Sequence, residues 1–280
     1  ALAALLAAAV IFAGYELRVS RLRRRTGELT RLVEERTERL VELDKRKNEF
    51  VATVSHELRN PLTSIRGTLE LLSSGMLVEL PKEAVEILKL AHKNTLRLGR
   101  LIDDLIDLEK LESGTLDIET RRVALRDVLR SAVDANRGLA QAYGVRIETP
   151  VEPPDVPILV DEERLLQVLT NLLSNAVKFS PEEEAVVLAA EETPGGVRIT
   201  VTDRGPGVPE EFRDKIFTRY AQAQTTTRRT KKGTGLGLWI AKGFVDRMGG
   251  TIGFTSAAGE GTTFWVELPR APDEGGGKLA

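Results

Sequence analysis

Apolar residues recur at spacings of three and four along two segments of the chain. Phe50, Val54, Leu58, Leu62, Ile65, Leu69 and Leu72 make one stripe, and Ala84, Ile87, Ala91, Asn94, Leu98, Leu101, Leu105 and Leu108 make the other. That period predicts two amphipathic helices, and Gly75 and Pro81 between them predict a turn. The pair reads as an antiparallel hairpin. A single hairpin buries only a narrow seam, so two copies pairing into a four-helix bundle is the natural closure, and a homodimer is expected. Upstream, Leu22, Leu29, Leu43 and Phe50 at one heptad position and Val33, Leu40 and Val54 at the other predict a parallel coiled coil. It is interrupted at Thr26, Arg36 and Lys47, and a lone charged surface helix is the competing reading. Pro61 removes a backbone donor and predicts a bend one turn beyond His56.

Past Ser113-Gly114 the pattern changes. Val186–Ala190, Val197–Thr202 and Thr263–Leu268 read as strands, while Val128–Ala140 and Glu162–Phe179 read as helices, giving a separate α+β domain. Pro150–Pro157 reads as a surface loop within it, and Glu274–Lys278 as a flexible end. At the other end, Ala1–Tyr15 is apolar and uncharged and is followed by Arg18, Arg21, Arg23, Arg24 and Arg25. A spanning helix takes about 20 apolar residues, and a signal peptide carries its positive charge ahead of the apolar run, the reverse of this order. The end of a transmembrane helix is therefore expected, with the arginines on the cytoplasmic side; a buried soluble helix is the alternative. The expected division is 1–17 membrane helix end, 18–48 coiled-coil linker, 49–113 helical hairpin, 114–271 α+β domain and 272–280 tail.

Composition narrows the chemistry. With 280 residues, 41% hydrophobic and 29% charged, the chain can bury a core. A net charge of −2 argues against nucleic acid as an obligate partner. The absence of cysteine excludes disulfides, thiolate metal sites and cysteine nucleophiles, and two histidines make a multi-histidine metal site implausible.

One of those histidines stands out. At about 100° per residue, His56 in Ser55-His56-Glu57-Leu58-Arg59-Asn60-Pro61-Leu62 points away from the apolar stripe, which leaves a nucleophile or a solvated surface histidine. His92 lies off the second stripe without a neighbouring acid or amide motif and reads as solvated. Further on, Asn171 and Asn175 lie four residues apart on one predicted helix with Lys178 a turn later. Two amides and an ammonium on one face can hold a hard cation and phosphate; a helix that merely exposes asparagine competes. Asp203-Arg204-Gly205-Pro206-Gly207 follows an apolar strand, where a carboxylate could accept from an exocyclic amine, or a generic turn could stand. Gly233-Thr234-Gly235-Leu236-Gly237-Leu238 opens an apolar helix containing Trp239 and Ile240, a setting in which backbone amides cradle an anion. It lacks the Gly-Lys-Ser/Thr ending of a P-loop and does not fit a dinucleotide fingerprint. The intervening stretch, with Gln222, Gln224, Thr225–Thr227, Arg228, Arg229, Lys231 and Lys232, suits either a lid over phosphates or a disordered loop.

In this order and spacing, the elements resemble the sensor histidine kinases of two-component signalling from about residue 20 to 270. Phe50–Leu72 is similar to their phosphoacceptor box, Asn171–Phe179 to the asparagine box, Asp203–Gly207 and Gly233–Gly237 to the two glycine boxes, and Phe212 and Phe217 to the phenylalanine box. Arg204 departs from the usual asparagine. The resemblance implies a dimeric four-helix bundle followed by a Bergerat-type α/β sandwich that binds ATP and Mg²⁺. His56 would be the phosphoacceptor, Glu57 would orient its ring, and Asn60 would position water for dephosphorylation of a partner's aspartyl phosphate. Asp203 would read the adenine amine and Asn175 would hold Mg²⁺. Lys178 and the Gly233–Gly237 amides would bind phosphate. Asn171, Phe179, Gly205, Gly207, Val208, Phe217, Thr234, Leu236 and Leu238 complete the implied nucleotide site. The implied partners are a second copy and a response-regulator receiver domain, with the kinase portion on the cytoplasmic side of an inner membrane. Two other functions compete: a hydrolytic ATPase of the same nucleotide fold, which typically has glutamate where this chain has Asn171, and a catalytically silent dimeric scaffold.

Overall fold

The structure is a computed structural model that describes residues 18, 30, 31, 33, 34, 36–39, 41–43, 47, 51, 53–55, 57–72, 80–222 and 234–271. The chain divides into two units, Ala1–Leu58 and Arg59–Ala280. In the first, every residue described from 30 onward is helical, and the heptad positions Val33 and Leu43 are 63% and 55% exposed. Glu57 is exposed on this helix. His56, Phe50, Leu22, Leu29 and Leu40 lie outside the described residues, as do residues 1–17 and the tail 272–280. Among the described residues no helix is long and apolar enough to cross a membrane.

The second unit begins with helix α1, residues 59–72, which is helical through Pro61. Helix α2, Lys82–Glu112, follows. The two meet where Leu62 comes against Gly99: a Cβ on that glycine would lie 3.4 Å from Leu62 Cδ2. Arg59 and Asp103 pair across them at 2.6 Å. The α2 face that is buried or half-buried includes Leu88, His92, Thr95, Gly99, Ile102 and Ile106, whereas Ile87, Leu98 and Leu105 of the expected stripe are exposed. His92 is therefore half-buried on the inner side of α2 rather than solvated.

Beyond the hairpin lies an α/β sandwich. Strands β1 (Arg121–Ala124) and β3 (Pro157–Val160) pair as a small antiparallel ribbon. The main sheet contains β2 (Arg146–Glu148), β4 (Ala185–Thr193), β5 (Gly196–Asp203), β6 (Thr251–Ala257) and β7 (Gly261–Pro269) in the order β2-β4-β5-β7-β6, antiparallel except for β2 with β4. Side chains alternate across a sheet. Val186, Leu188, Val197, Ile199, Val201, Phe264, Val266 and Leu268 are accordingly buried. Arg198, Thr200, Thr202, Thr263 and Trp265 are only half-buried.

The buried positions pack against α3 (Leu125–Tyr143), α4 (Glu162–Phe179) and α6 (Gly237–Arg247), while the short helix α5 spans Glu210–Arg213. Helix α3 ends at Gly144, whose φ of 66° is the left-handed conformation that suits glycine. Helix α4 starts at Asp161, whose Oδ1 accepts from Arg164 N at 3.1 Å, with Glu162 and Glu163 in the first turn complementing the helix dipole.

Candidate functional site

The pattern of α4 determines which residues remain for chemistry. Leu165, Val168, Leu169, Leu172, Leu173, Ala176 and Val177 are consumed by the core. Asn171, Asn175 and Lys178, at i, i+4 and i+7, share the opposite, half-buried side. Asn171 Nδ2 donates to the Gly237 carbonyl at 3.3 Å, fixing α4 against the start of α6. A Cβ on Gly237 would lie 3.1 Å from Asn171 Oδ1, so this contact leaves little room for a side chain. The Asn175 amide makes no hydrogen bond among the described residues and its oxygen can accept a ligand. Burial lowers the Lys178 ammonium below the usual lysine range; Arg100 of α2 adds to the fall and Asp104 opposes it.

Asp203 closes β5 at one end of this surface and is 4% exposed. Its Oδ1 accepts from Gly205 N at 2.8 Å and from Thr262 N at 3.2 Å. Burial pushes the carboxyl above the ordinary range, while the two N–H groups pull the other way. Both bonds fall on Oδ1, so Oδ2 can accept from a donor on a ligand. The backbone comes close here: a Cβ on Gly205 would lie 2.8 Å from the Phe179 carbonyl oxygen, and one on Gly207, whose φ is 79°, would overlap that of Ala257. Phe179 itself is 41% exposed at the end of α4. Val208 N donates to Ser256 Oγ at 2.8 Å. Arg204 is turned toward Glu184, 3.6 Å away.

At the other end, Thr234 Oγ1 accepts from Leu236 N at 3.1 Å and holds the turn before α6. Gly235 has φ 73°, and a Cβ there would lie 2.7 Å from the Tyr220 carbonyl carbon. Leu236 is buried and Leu238 half-buried. The first N–H groups of α6 lack intrahelical partners, which makes this helix start suited to an anion. Gly233 and the basic stretch of residues 223–232 lie outside the described residues. Phe217 is turned to the sheet, its ring 6.1 Å from Phe254 and 6.5 Å from Phe264, and Phe212 also packs on the core.

The C-terminal half of α2 meets this domain in a way that the apolar period does not announce. Asp107, 5% exposed, accepts from Arg164 Nη1 at 3.0 Å and Gln167 Nε2 at 2.7 Å. The Arg164 guanidinium also lies 4.9 Å from the Phe244 ring centroid. Leu108 joins the core, Leu111 packs against it, Glu112 pairs with Arg219, and Arg219 stacks over Trp239 at 4.8 Å. Nearer the helix middle, Thr234 Oγ1 donates to Asp104 Oδ2 at 3.3 Å. The signal available in the sequence was the run Asp103, Asp104 and Asp107 beside the apolar stripe.

The surface therefore joins a buried carboxylate with one oxygen spare, an amide oxygen, an ammonium and a helix start. Such a set suits an adenine nucleotide with its phosphates. Mg²⁺ takes oxygen ligands and commonly binds through one or two protein groups plus phosphates and water, a role that the Asn175 oxygen fits. Among the described residues no group of three histidine, cysteine, aspartate or glutamate side chains could hold a metal alone.

Comparison with known proteins agrees with this geometry. Residues 46–114 match the His Kinase A (phospho-acceptor) domain, and residues 160–272 match the Histidine kinase-, DNA gyrase B-, and HSP90-like ATPase family. The chain is 35% identical over 247 residues to sensor histidine kinase TmoS of Ectopseudomonas mendocina, covering 87% of this chain and 25% of that protein. It is 36% identical over 269 residues to sensor histidine kinase AruS of Pseudomonas aeruginosa, covering 91% and 27%. The chain thus spans about a quarter of the length of these relatives. Among solved structures, full-length ShkA in complex with AMPPNP superposes with a TM-score of 0.65 at 33% identity, covering 80% of this chain and 46% of that one.

Proposed function

As the chain belongs to the sensor histidine kinases of two-component systems, we propose that it uses ATP to phosphorylate His56 and passes the phosphoryl group to an aspartate of a response-regulator receiver domain. The observation that carries this reading is Asp203: a buried carboxylate with Oδ1 held by two backbone donors and Oδ2 able to accept the adenine amine, on the same surface as Asn175 and Lys178. Asp203 selects the base, Asn175 holds Mg²⁺, and Lys178 with the start of α6 binds phosphate oxygens. The metal, when bound, neutralises charge on the phosphates. Phosphoryl transfer depends mainly on positioning and charge neutralisation.

His56 attacks the γ-phosphorus with a neutral ring nitrogen. As the N–P bond forms, the bond to the β–γ bridging oxygen breaks and ADP departs. Glu57 accepts the other ring N–H and keeps the attacking nitrogen unprotonated. Asn60, four residues after His56 and exposed on α1, supports a reverse activity in which it positions water against the regulator's aspartyl phosphate. The active form is a homodimer; the exposed Ile87, Leu98 and Leu105 on α2 support it. The apolar run 1–15 and the following arginines support attachment to an inner membrane with the kinase portion cytoplasmic.

Asn171 favours transfer over hydrolysis. It donates to the Gly237 carbonyl, a bond that a carboxylate could not make, and leaves no base at that position to activate water. Incubation with γ-labelled ATP and Mg²⁺ tests the proposal. An acid-labile, base-stable label on the protein, lost in His56→Gln, is expected. Rapid phosphate release without labelled protein would instead mark an ATPase, and neither product would mark a scaffold.

A further inference from the structure

The nucleotide surface already faces an anion of the protein's own. Asp104, on α2, accepts from Thr234 Oγ1 at 3.3 Å, and Thr234 belongs to the turn that precedes the anion-binding start of α6. The same carboxylate acts electrostatically on Lys178, holding its ammonium up against the effect of burial. Lys178 has no ion-pair partner within bonding distance among the described residues, so Asp104 is the negative group opposing its charge loss. A hydroxyl donor and an ammonium are what a phosphate oxygen would recruit at this surface.

We infer that Asp104 is an internal competitor for the nucleotide's phosphates: when nucleotide is absent it holds the Thr234 hydroxyl, with its charge acting on Lys178 from beyond bonding distance, and it lowers the affinity for a triphosphate. This rests on the nucleotide reading of the site and adds its regulation by α2. The bulk of α2 need not move far for the competition to operate. Asp107, one turn on, is anchored to Arg164 and Gln167, which keeps Asp104 at the edge of the site, and Asp103 is drawn aside by Arg59. Of the three acidic residues, Asp104 alone bonds to a residue of the glycine turn among the described contacts. Because α2 also carries the hairpin, a rotation of that helix would change how strongly Asp104 competes, and nucleotide affinity would follow the state of the hairpin.

Charge and shape separate in the test. Asp104→Asn keeps the size and an acceptor oxygen but removes the charge; Asp104→Ala removes both charge and hydrogen bond. Equilibrium binding of AMPPNP with Mg²⁺, and of adenosine, is measured on the full chain with each variant, after circular dichroism has verified the fold. Both substitutions should tighten AMPPNP about tenfold, the scale of two like charges about 12 Å apart at an effective dielectric constant of about 20, and leave adenosine unchanged because Asp203 is untouched. Unaltered or weaker AMPPNP binding in Asp104→Asn, with the wild type still binding, overturns the competition alone. Equal tightening of adenosine would also overturn it, by showing a general opening of the site. Failure of the wild type to bind either ligand removes the nucleotide reading and this inference together.

Discussion

The two halves of α2 are built for different neighbours. Toward its N-terminus Ile87 is 68% exposed, Leu90 60% and Leu98 49%, large apolar side chains without cover among the described residues. Toward its C-terminus Ile102, Asp107 and Leu108 are each about 5% exposed or less, and the last two are fixed to α4 and the core. One half is left uncovered among the described residues and is the surface on which the proposed second copy would pack, and the other is a joint to the nucleotide-binding domain. One helix spans both, and its C-terminal half brings Asp104 to the glycine turn. In the proposed homodimer, burial within one chain is a poor measure of importance for the exposed half, because its packing partner would be another molecule.

The largest expected effect comes from breaking the exposed half. Charges at Ile87 and Leu98, as in the double variant Ile87→Asp, Leu98→Asp, should convert the dimer to monomer by light scattering while the far-ultraviolet circular dichroism of the chain persists. A dimer that survives would place the seam elsewhere. On the joint the effect is on stability rather than assembly. Asp107→Ala strands the Gln167 amide and removes the carboxylate from Arg164, and should cost about 1.5–3 kcal/mol, the range for hydrogen bonds to charged groups, read from urea unfolding. A loss no greater than that of an ordinary surface substitution would mean that the apolar contacts of Leu108 and Leu111 alone hold the joint.

How far the sequence disclosed these two halves follows from what kind of signal each carries. Helix α4 was legible to the residue, because an acidic N-cap, a 3.6-residue apolar period and a change of character at Ser180-Pro181 agree. Strands β4, β5 and β7 were legible as short strand-like runs. Strands β1, β2 and β3 were not, since three or four residues show no reliable period, and β6 was hidden by polar residues and by Gly253, which lies so close under the Trp265 ring that a Cβ there would overlap it. On α2 the expected stripe marks the exposed side in the N-terminal half, while the inner face runs through Thr95 and Gly99, residues that carry little hydrophobic signal. The asparagines and glycines stood out in the sequence because their spacing is chemical rather than hydrophobic, and Asn171 meets Gly237 where α4 adjoins the start of α6. The roles of Asp104 and Asp107 were not, because an acidic residue beside an apolar stripe reads as solvated until a distant Thr234 or Arg164 is brought to it.

A smaller effect distinguishes the joint from the seam through pH. Burial, reinforced by Asp107 and Asp103, raises the Asp104 carboxyl from 3.8 to about 6, against the Thr234 hydrogen bond and Arg100, which lower it. The folded chain therefore holds this proton more tightly than the unfolded chain does. Its contribution to stability is complete below the unfolded value and is lost as pH rises through about 6, because the folded state must then carry a buried charge. Asp203 shifts in the same direction, so the wild-type profile alone cannot isolate Asp104. The difference between wild type and Asp104→Asn can: urea midpoints should show the wild type losing ground to the variant between about pH 4 and pH 6.5, with a constant gap above that. The Ile87→Asp, Leu98→Asp background should leave this difference intact, since the exposed half of α2 takes no part in holding Asp104. A pH-independent gap would show that the fold does not raise the Asp104 carboxyl, and a gap that vanishes when the dimer is broken would show that Asp104 responds to the seam and not to the joint.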